Sequence, residues 1–314
     1  MMRSQMRVPA MLGLSLGTTL MAAVFGCGGT GTETSDAVVR PTTSASKTPA
    51  GSATGTPAPA VTPTTAAAPA ASEPVASAPV KAEGYGTLKG RVTYDGEAPT
   101  PKVLFEKGKA AKDPDVCAKD APLVSERLIV DSSSKGVKNV LVYLNKPTSV
   151  SDEAKKATAA ANVVFDQTKC VFEPHVLAVM VKTPILLKSS DPVNHNINAK
   201  LKSAAFNKLL SAKAEEKYTP MGAERLPAEV TCDIHPWMRA WWMVLDHPYF
   251  AVTNEQGEFE IKHVPAGTQK LVVWQEALGN SGFITAPAGE EVVLKANDAV
   301  VKDFKIEPSR LRPE

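Results

Sequence analysis

Hydrophobic positions are sparse in the first third of the chain. Residues 30–83 are Thr, Ala, Pro, Ser and Gly, with few aliphatics and no aromatics. Such a stretch cannot bury enough apolar surface to offset the entropy of ordering it, so it predicts a disordered tether. Alternation begins near Gly84. Residues 87–94 alternate and end in Asp95-Gly96, which predicts a strand and a turn. Strands are also expected at 128–130, 137–144, 163–165, 176–181, 185–188, 229–232 and 241–245. Later candidates are 251–253, 259–261, 271–274, 291–294 and 300–306. Residues 151–161 are alanine-rich with charges and fit a short helix or a polar loop. Short strands divided by Gly, Pro, Asn and Asp turns predict an all-β fold of antiparallel sandwiches. There is no alternation of strands with helices and no tandem repeat at constant period.

The first 26 residues carry a different pattern. Arg3 and Arg7 give a positive start, and residues 8–25 are apolar and small. That suits the hydrophobic region of an export signal better than a bilayer span. The run ends Val24-Phe25-Gly26-Cys27. It resembles a bacterial lipoprotein signal, which implies that Cys27 is lipidated and becomes the mature N-terminus. Phe25 stands where that pattern has a small residue. The alternative is an ordinary cleaved signal. Either way the protein is exported, and the lipoprotein resemblance implies a lipid-anchored protein of the cell envelope, facing the periplasm or the exterior. Residues 27–83 then link anchor to folded head.

Charge narrows the classes little. There are 35 basic and 33 acidic residues, a formal net charge of +2, and no basic stripe interleaved with aromatics, so no nucleic-acid partner is implied. Of the four cysteines, Cys27 sits at the signal and Cys232 in the motif described next. Cys117 and Cys170 are left over, and in an oxidising compartment they favour a disulfide. Two separate buried thiols are the alternative.

The sharpest chemical signal is Cys232-Asp233-Ile234-His235-Pro236-Trp237-Met238. It places a thiolate, an imidazole and a thioether in one short loop. A second imidazole, His195, lies upstream in Asn194-His195-Asn196. A His₂Cys set with a weak Met is the donor set of blue-copper electron-transfer sites, because thiolate and thioether suit Cu(I) and imidazole suits both oxidation states. Zinc more often recruits a further Cys or His. Singly, each feature has a blander reading: Cys-x-x-His pairs are common, and Met is usually core.

The loop resembles that of the cupredoxins, in its amicyanin-like form Cys-x-x-His-Pro-aromatic-Met, with Trp237 at the aromatic position. Phe172-Glu173-Pro174-His175-Val176 and the later His195-Asn196 resemble the family's order of strand and ligand. The resemblance spans residues 162–246 and implies a Greek-key sandwich, one type 1 copper and one-electron transfer. It implies His195, Cys232 and His235 as equatorial ligands and Met238 as the axial one. The resemblance also implies that Asn196 is the residue that hydrogen-bonds near the thiolate and tunes the site. The Lys- and Ala-rich residues 199–225 depart from the family. Trp237, beside an exposed imidazole of His235, implies a docking point for a redox protein partner. The other histidines, His175, His247 and His263, read as structural. Trp241, Trp242 and Trp274 read as core.

A second resemblance lies outside that segment. The run from Ala251 to Ile261, then Val264-Pro265-Ala266-Gly267-Thr268 and Leu271-Val272-Val273-Trp274, resembles carboxypeptidase-regulatory-like and rhamnogalacturonan-lyase accessory sandwiches. It implies a prealbumin-like β-sandwich from residues 84–150 with 247–308, a scaffold or carbohydrate-contacting module, with the copper segment 151–246 inserted. No catalytic acid pair, Ser/His/Asp order or phosphate-cradling loop is present. The expectation is an exported electron carrier and not an enzyme. The rival is a non-catalytic envelope or carbohydrate-binding module whose metal site is vestigial or structural.

Overall fold

The computed structural model describes residues 83–313. The expectations for the export signal, Cys27 and the tether up to residue 82 lie outside the described residues. Alternation near Gly84 becomes β1 (Tyr85–Tyr94), which buries Leu88, Val92 and Tyr94 and exposes Lys89. Next come β2 (Val103–Phe105), β3 (Leu123–Val124), β4 (Leu141–Leu144) and α1 (Asp152–Ala159). Ser151 caps that helix, its hydroxyl accepting from the Ala154 N–H at 3.3 Å, and Asp152 and Glu153 face the positive end of the helix dipole. A run of strands follows: β5 (Val163–Thr168), β6 (Val171–Glu173), β7 (Val176–Met180), β8 (Ile185–Ser189), β9 (His195–Ala199), β10 (Phe206–Leu210), β11 (Glu215–Tyr218), β12 (Ala228–Thr231) and β13 (Arg239–Leu245). The chain closes with β14 (Phe250–Val252), β15 (Glu258–Pro265), β16 (Gly267–Trp274), β17 (Glu290–Leu294), β18 (Ala299–Val301) and β19 (Phe304–Ile306). The fold is all-β apart from α1 and short 3₁₀ turns. Among the described residues no helix is long and apolar enough to cross a membrane.

Strands from the two ends of this region share sheets. One runs β15-β1-β18, with β19 also pairing β1, and another runs β14-β4-β16-β17. Between them lie Leu88, Val92, Val142, Tyr249, Ile261 and Val273. Gly90 is required in β1 where the chain leaving β18 approaches it, because a Cβ there would lie 1.9 Å from the Lys302 carbonyl oxygen. The middle of the region makes its own pair of sheets, β10-β9-β12-β13-β7 and β11-β8-β5-β6. Their shared core holds Phe165, Phe172, Ile197 and Trp242, with the Phe165 and Trp242 rings edge to face at 5.0 Å. Strand β4 is buried at every position. Val142 and Leu144 face the first core, while Leu141 and Tyr143 pack with Val176, Met243 and Leu245 of the middle strands.

The structure departs from the sequence expectation in several places, and β2, β3, β6 and β9 form where no strand was expected. Pairing is not purely antiparallel: β1 runs parallel to β18 and β19, β5 to β8, and β7 to β13. Such pairs arise because the chain crosses to the opposite sheet before returning, which a hairpin cannot do. Residues 128–130 make only an isolated bridge, Val130 to Val137. The Lys- and Ala-rich stretch holds two edge strands, β10 and β11; β11 is polar and buries no residue, and β10 turns Leu209 outward. Finally, the excursion carrying β2 and β3 packs on the middle lobe, burying Ala110, Cys117, Ala118 and Leu123 in its core.

Candidate metal centre

Three elements deliver the site. Strands β12 and β13 are adjacent and antiparallel, and residues 232–238 are the connection between them. That loop is closed at its neck, where the Cys232 N–H donates to the Met238 carbonyl at 3.3 Å. Within it the Met238 N–H donates to the His235 carbonyl at 2.9 Å. Strand β9 pairs with β12 so that Asn198 lies opposite Thr231. Continuing that register carries Asn196 and His195, at the start of β9, over the Cys232 turn.

The side chains of His195, Cys232 and His235 converge there. Their donor atoms lie within 4.8 Å of one another, and all three residues are buried. Nδ1 of His195 is 2.9 Å from Nδ1 of His235, and Cys232 Sγ is 3.9 Å from His235 Nδ1. Each imidazole is occupied on its far side. Asp191 Oδ2 accepts from His195 Nε2 at 2.8 Å, and Asp113 Oδ2 accepts from His235 Nε2 at 2.9 Å. With Nε2 donating in both rings, each neutral ring turns an Nδ1 lone pair inward. Two lone pairs facing at that distance repel unless a cation lies between them. A proton or a metal ion fulfils that role, so the donor set fits a soft to borderline metal such as copper.

Electrostatics agree. Burial opposes charge on His195, but its hydrogen bond to Asp191 and its contact with Cys232 outweigh burial and push it up to about 9. Burial also opposes the Cys232 thiolate; its contacts with the two imidazoles and the hydrogen bonds from the N–H groups of Asn196 and His235 outweigh it, leaving the thiol at about 6. The two N–H donors lie 3.5 and 3.4 Å from Sγ. Both shifts run toward a thiolate beside a protonated imidazole, the charge state closest to a thiolate beside a metal ion. Asn196 serves a second purpose. Its side chain donates to Asp233 Oδ2 at 2.8 Å and accepts from the Asp233 N–H at 2.6 Å, pinning the loop to β9.

Met238 is 1% exposed and belongs to the same core as Cys232. His235 corrects the expectation of an exposed imidazole: it is 0% exposed. Trp237 is half-buried, edge to face with Phe105 at 4.8 Å and with His235 at 5.2 Å. The excursion bearing Phe105 and Asp113 is what covers this edge. Cys117 and Cys170 are bonded to each other, with Cα atoms 5.3 Å apart, and Cys170 accepts from the Trp237 indole through its carbonyl at 3.2 Å. The remaining free thiol among the described residues is Cys232.

Of the other histidines, His247 is buried and accepts from the Tyr249 N–H at 3.2 Å, and His263 is half-buried near Glu153. His175 pairs through Nε2 with the buried Glu276, and its Nδ1 faces Glu126 at 3.8 Å. These groups line a cavity of about 460 Å³ whose wall includes Pro236, Trp237 and Met238. Trp242 and Trp274 are core, and Trp241 packs edge to face on Trp274 at 5.0 Å. Sequence reasoning missed Asp113 and Asp191. The one local sign of Asp191 is its place in Ser190-Asp191-Pro192, four residues before His195.

No protein-family model matches the chain, and no curated protein sequence does either. Solved structures similar to part of it include cupredoxins. Amicyanin from Paracoccus versutus is 17% identical at TM-score 0.24, over 33% of this chain and 96% of that one. A purple cupredoxin from Nitrosopumilus maritimus is 18% identical at TM-score 0.23, over 26% of this chain and 99% of that one. A Cu-containing nitrite reductase from Thermus scotoductus SA-01 is 19% identical at TM-score 0.25, over 27% of this chain. The chain spans about a fifth of that reductase, 22% of its length.

Proposed function

We propose that this protein is an exported type 1 (blue) copper protein that carries single electrons between redox partners of the cell envelope. One observation carries the reading. The Nδ1 atoms of His195 and His235 face each other at 2.9 Å beside the buried Cys232 sulfur, with both Nε2 atoms already held by carboxylates. His195, Cys232 and His235 would hold one copper, with Met238 from the same loop as a further, weaker donor. Bound there, copper supplies a one-electron Cu(II)/Cu(I) couple. The chain's residues do the rest. Asp113 and Asp191 fix the tautomer and direction of the imidazoles, the N–H groups of Asn196 and His235 stabilise the thiolate, and burial of all three ligands excludes water. Four protein donors leave no position for a substrate, which favours electron transfer over catalysis.

The same reading assigns the sandwich of β1, β4 and β14 to β19 a scaffold role, with carbohydrate contact as a subsidiary one. It also assigns Cys27 the lipid anchor and the tether the span from membrane to head. A redox partner docks over the half-buried Trp237. The test is copper titration of the purified protein with optical spectroscopy. One equivalent of Cu(II) gives intense visible absorption from thiolate-to-copper charge transfer, and Cys232→Ser abolishes it. A colourless protein that holds stoichiometric copper overturns the blue-copper assignment and favours a binding module with a structural metal.

A further inference from the structure

His235 is held from outside its own loop. Asp113, 122 residues upstream, accepts from its Nε2 at 2.9 Å. Asp113 lies in the excursion between β2 and β3, and its carbonyl accepts from the N–H groups of Val116 and Cys117 at 2.9 and 2.8 Å. That turn carries Cys117, which is bonded to Cys170. The sulfurs of both cysteines lie within 4.8 Å of a ring nitrogen of His235. Phe105, from the start of the same excursion, packs edge to face on Trp237. Three independent contacts, a hydrogen bond, a disulfide and an aromatic pair, therefore fasten one segment across the ligand loop. The imidazole is 0% exposed, while the Asp113 side chain is 35% exposed and stands between it and solvent.

We propose that Asp113 is a positioning residue of the metal centre: from a segment outside the ligand loop it holds the Nε2 proton of His235, directs Nδ1 toward Cys232 and His195, and closes the imidazole edge to solvent. Without that acceptor the ring is free to turn about Cβ–Cγ and to present Nε2–H to water. A carboxylate on the far nitrogen also makes the imidazole a stronger donor, which favours Cu(II) over Cu(I). This inference rests on the copper reading above.

The experiment uses the full chain with Asp113→Ala and Asp113→Asn, the second keeping the side-chain shape and a neutral acceptor. In the metal-free protein, imidazole NMR of the wild type gives a His235 Nε2–H resonance protected from solvent exchange, and Asp113→Ala loses that protection. In the copper form, loss of a hydrogen-bonding partner of this kind costs about tenfold or more in metal affinity. If that loss falls on Cu(II), the reduction potential rises by about 59 mV in Asp113→Ala. Asp113→Asn gives a smaller rise, because the acceptor remains and the charge does not. Wild-type potentials in both variants overturn the proposal, and Asp113→Asn alone decides it if the alanine variant does not fold. A chain that binds no copper refutes the electron-carrier reading instead, and the exchange measurement still reports whether Asp113 holds His235.

Discussion

The backbone N–H of Cys170 donates to Asp191 Oδ2 at 2.8 Å, so the disulfide and the carboxylate that holds His195 belong to one bonded unit. Lys169 donates to the other oxygen of the same carboxylate at 2.6 Å. Breaking the Cys117–Cys170 bond therefore acts on both sides of the candidate metal site: it frees the segment bearing Asp113 and loosens the turn bearing Asp191. The bond joins residues 53 apart in sequence. Loop-closure entropy for a loop of that size is about 4 kcal/mol when native geometry is unstrained. The double variant Cys117→Ala/Cys170→Ala should lose about that much stability in denaturant unfolding of the metal-free protein. It should also release copper to a chelator faster than wild type. Unchanged release would mean that the disulfide stabilises the fold without supporting the site.

Met238 offers a cleaner separation of roles. Its backbone closes the ligand loop from both sides, through the His235 carbonyl and the Cys232 N–H. Those bonds survive substitution by Leu, so Met238→Leu changes the side chain alone. An axial thioether binds weakly, so copper and colour should persist while the potential rises, by about 59 mV for each tenfold loss of Cu(II) relative to Cu(I) affinity. If Met238 only fills the core, the swap nearly conserves volume, costs less than about 1.5 kcal/mol and leaves the potential alone. Voltammetry of wild type and variant decides between them. His195→Ala is the contrast: in the copper reading it removes one of the three clustered donors and should weaken or reshape the centre.

Much of the site could be read in the sequence because it is local. Cys232, His235 and Met238 share one loop, and His195 follows the order of a known ligand pattern. The strands that alternate over a buried face, such as β1, were equally readable. What escaped was everything fixed by distant packing. Asp113 reaches His235 across 122 residues, and its surroundings, Lys112-Asp113-Pro114, carry only a turn signal. The exposed imidazole was expected for the same reason, since nothing local says that the excursion between β2 and β3 folds over the loop. Strand β11 escaped because a polar edge strand lacks the alternation that burial on one side imposes, and β10 because its exposed Leu209 beside Leu210 blurs that alternation.

The anchor is tested separately from the head. Cys27 follows the apolar run of residues 8–25, and in the lipoprotein reading its thiol carries the acyl chains. Cys27→Ser should move the protein from the membrane fraction to the soluble envelope fraction. Wild-type protein should incorporate labelled fatty acid in growing cells, and the variant should not. An unlabelled wild type would leave an ordinary cleaved signal as the reading of residues 1–26.

The pair of His175 with Glu276 sets a pH dependence that does not involve the metal ligands. Burial opposes charge on His175, but the hydrogen bond to Glu276 and the nearby Glu126 carboxylate outweigh it, so its pKa is raised. Arg127, Arg239 and Arg312 line the same cavity. A raised folded-state pKa means that the folded protein holds the proton more tightly than the unfolded chain. The stability from this pair is then fully present below the unfolded value, about 6.5, and is lost as pH rises through the higher folded value. Glu126 is also raised, mainly by burial, and adds a fall of the same sign that starts lower, near its ordinary 4.5. In the metal-free protein His195 and Cys232 contribute with opposite signs, since one is raised to about 9 and the other lowered to about 6. The informative quantity is therefore the difference between wild type and His175→Gln, measured by urea unfolding from about pH 6 to about pH 9. Wild type should hold its advantage at the acid end and lose it toward the alkaline end. A difference that stays constant across the range would show that His175 packs without carrying charge.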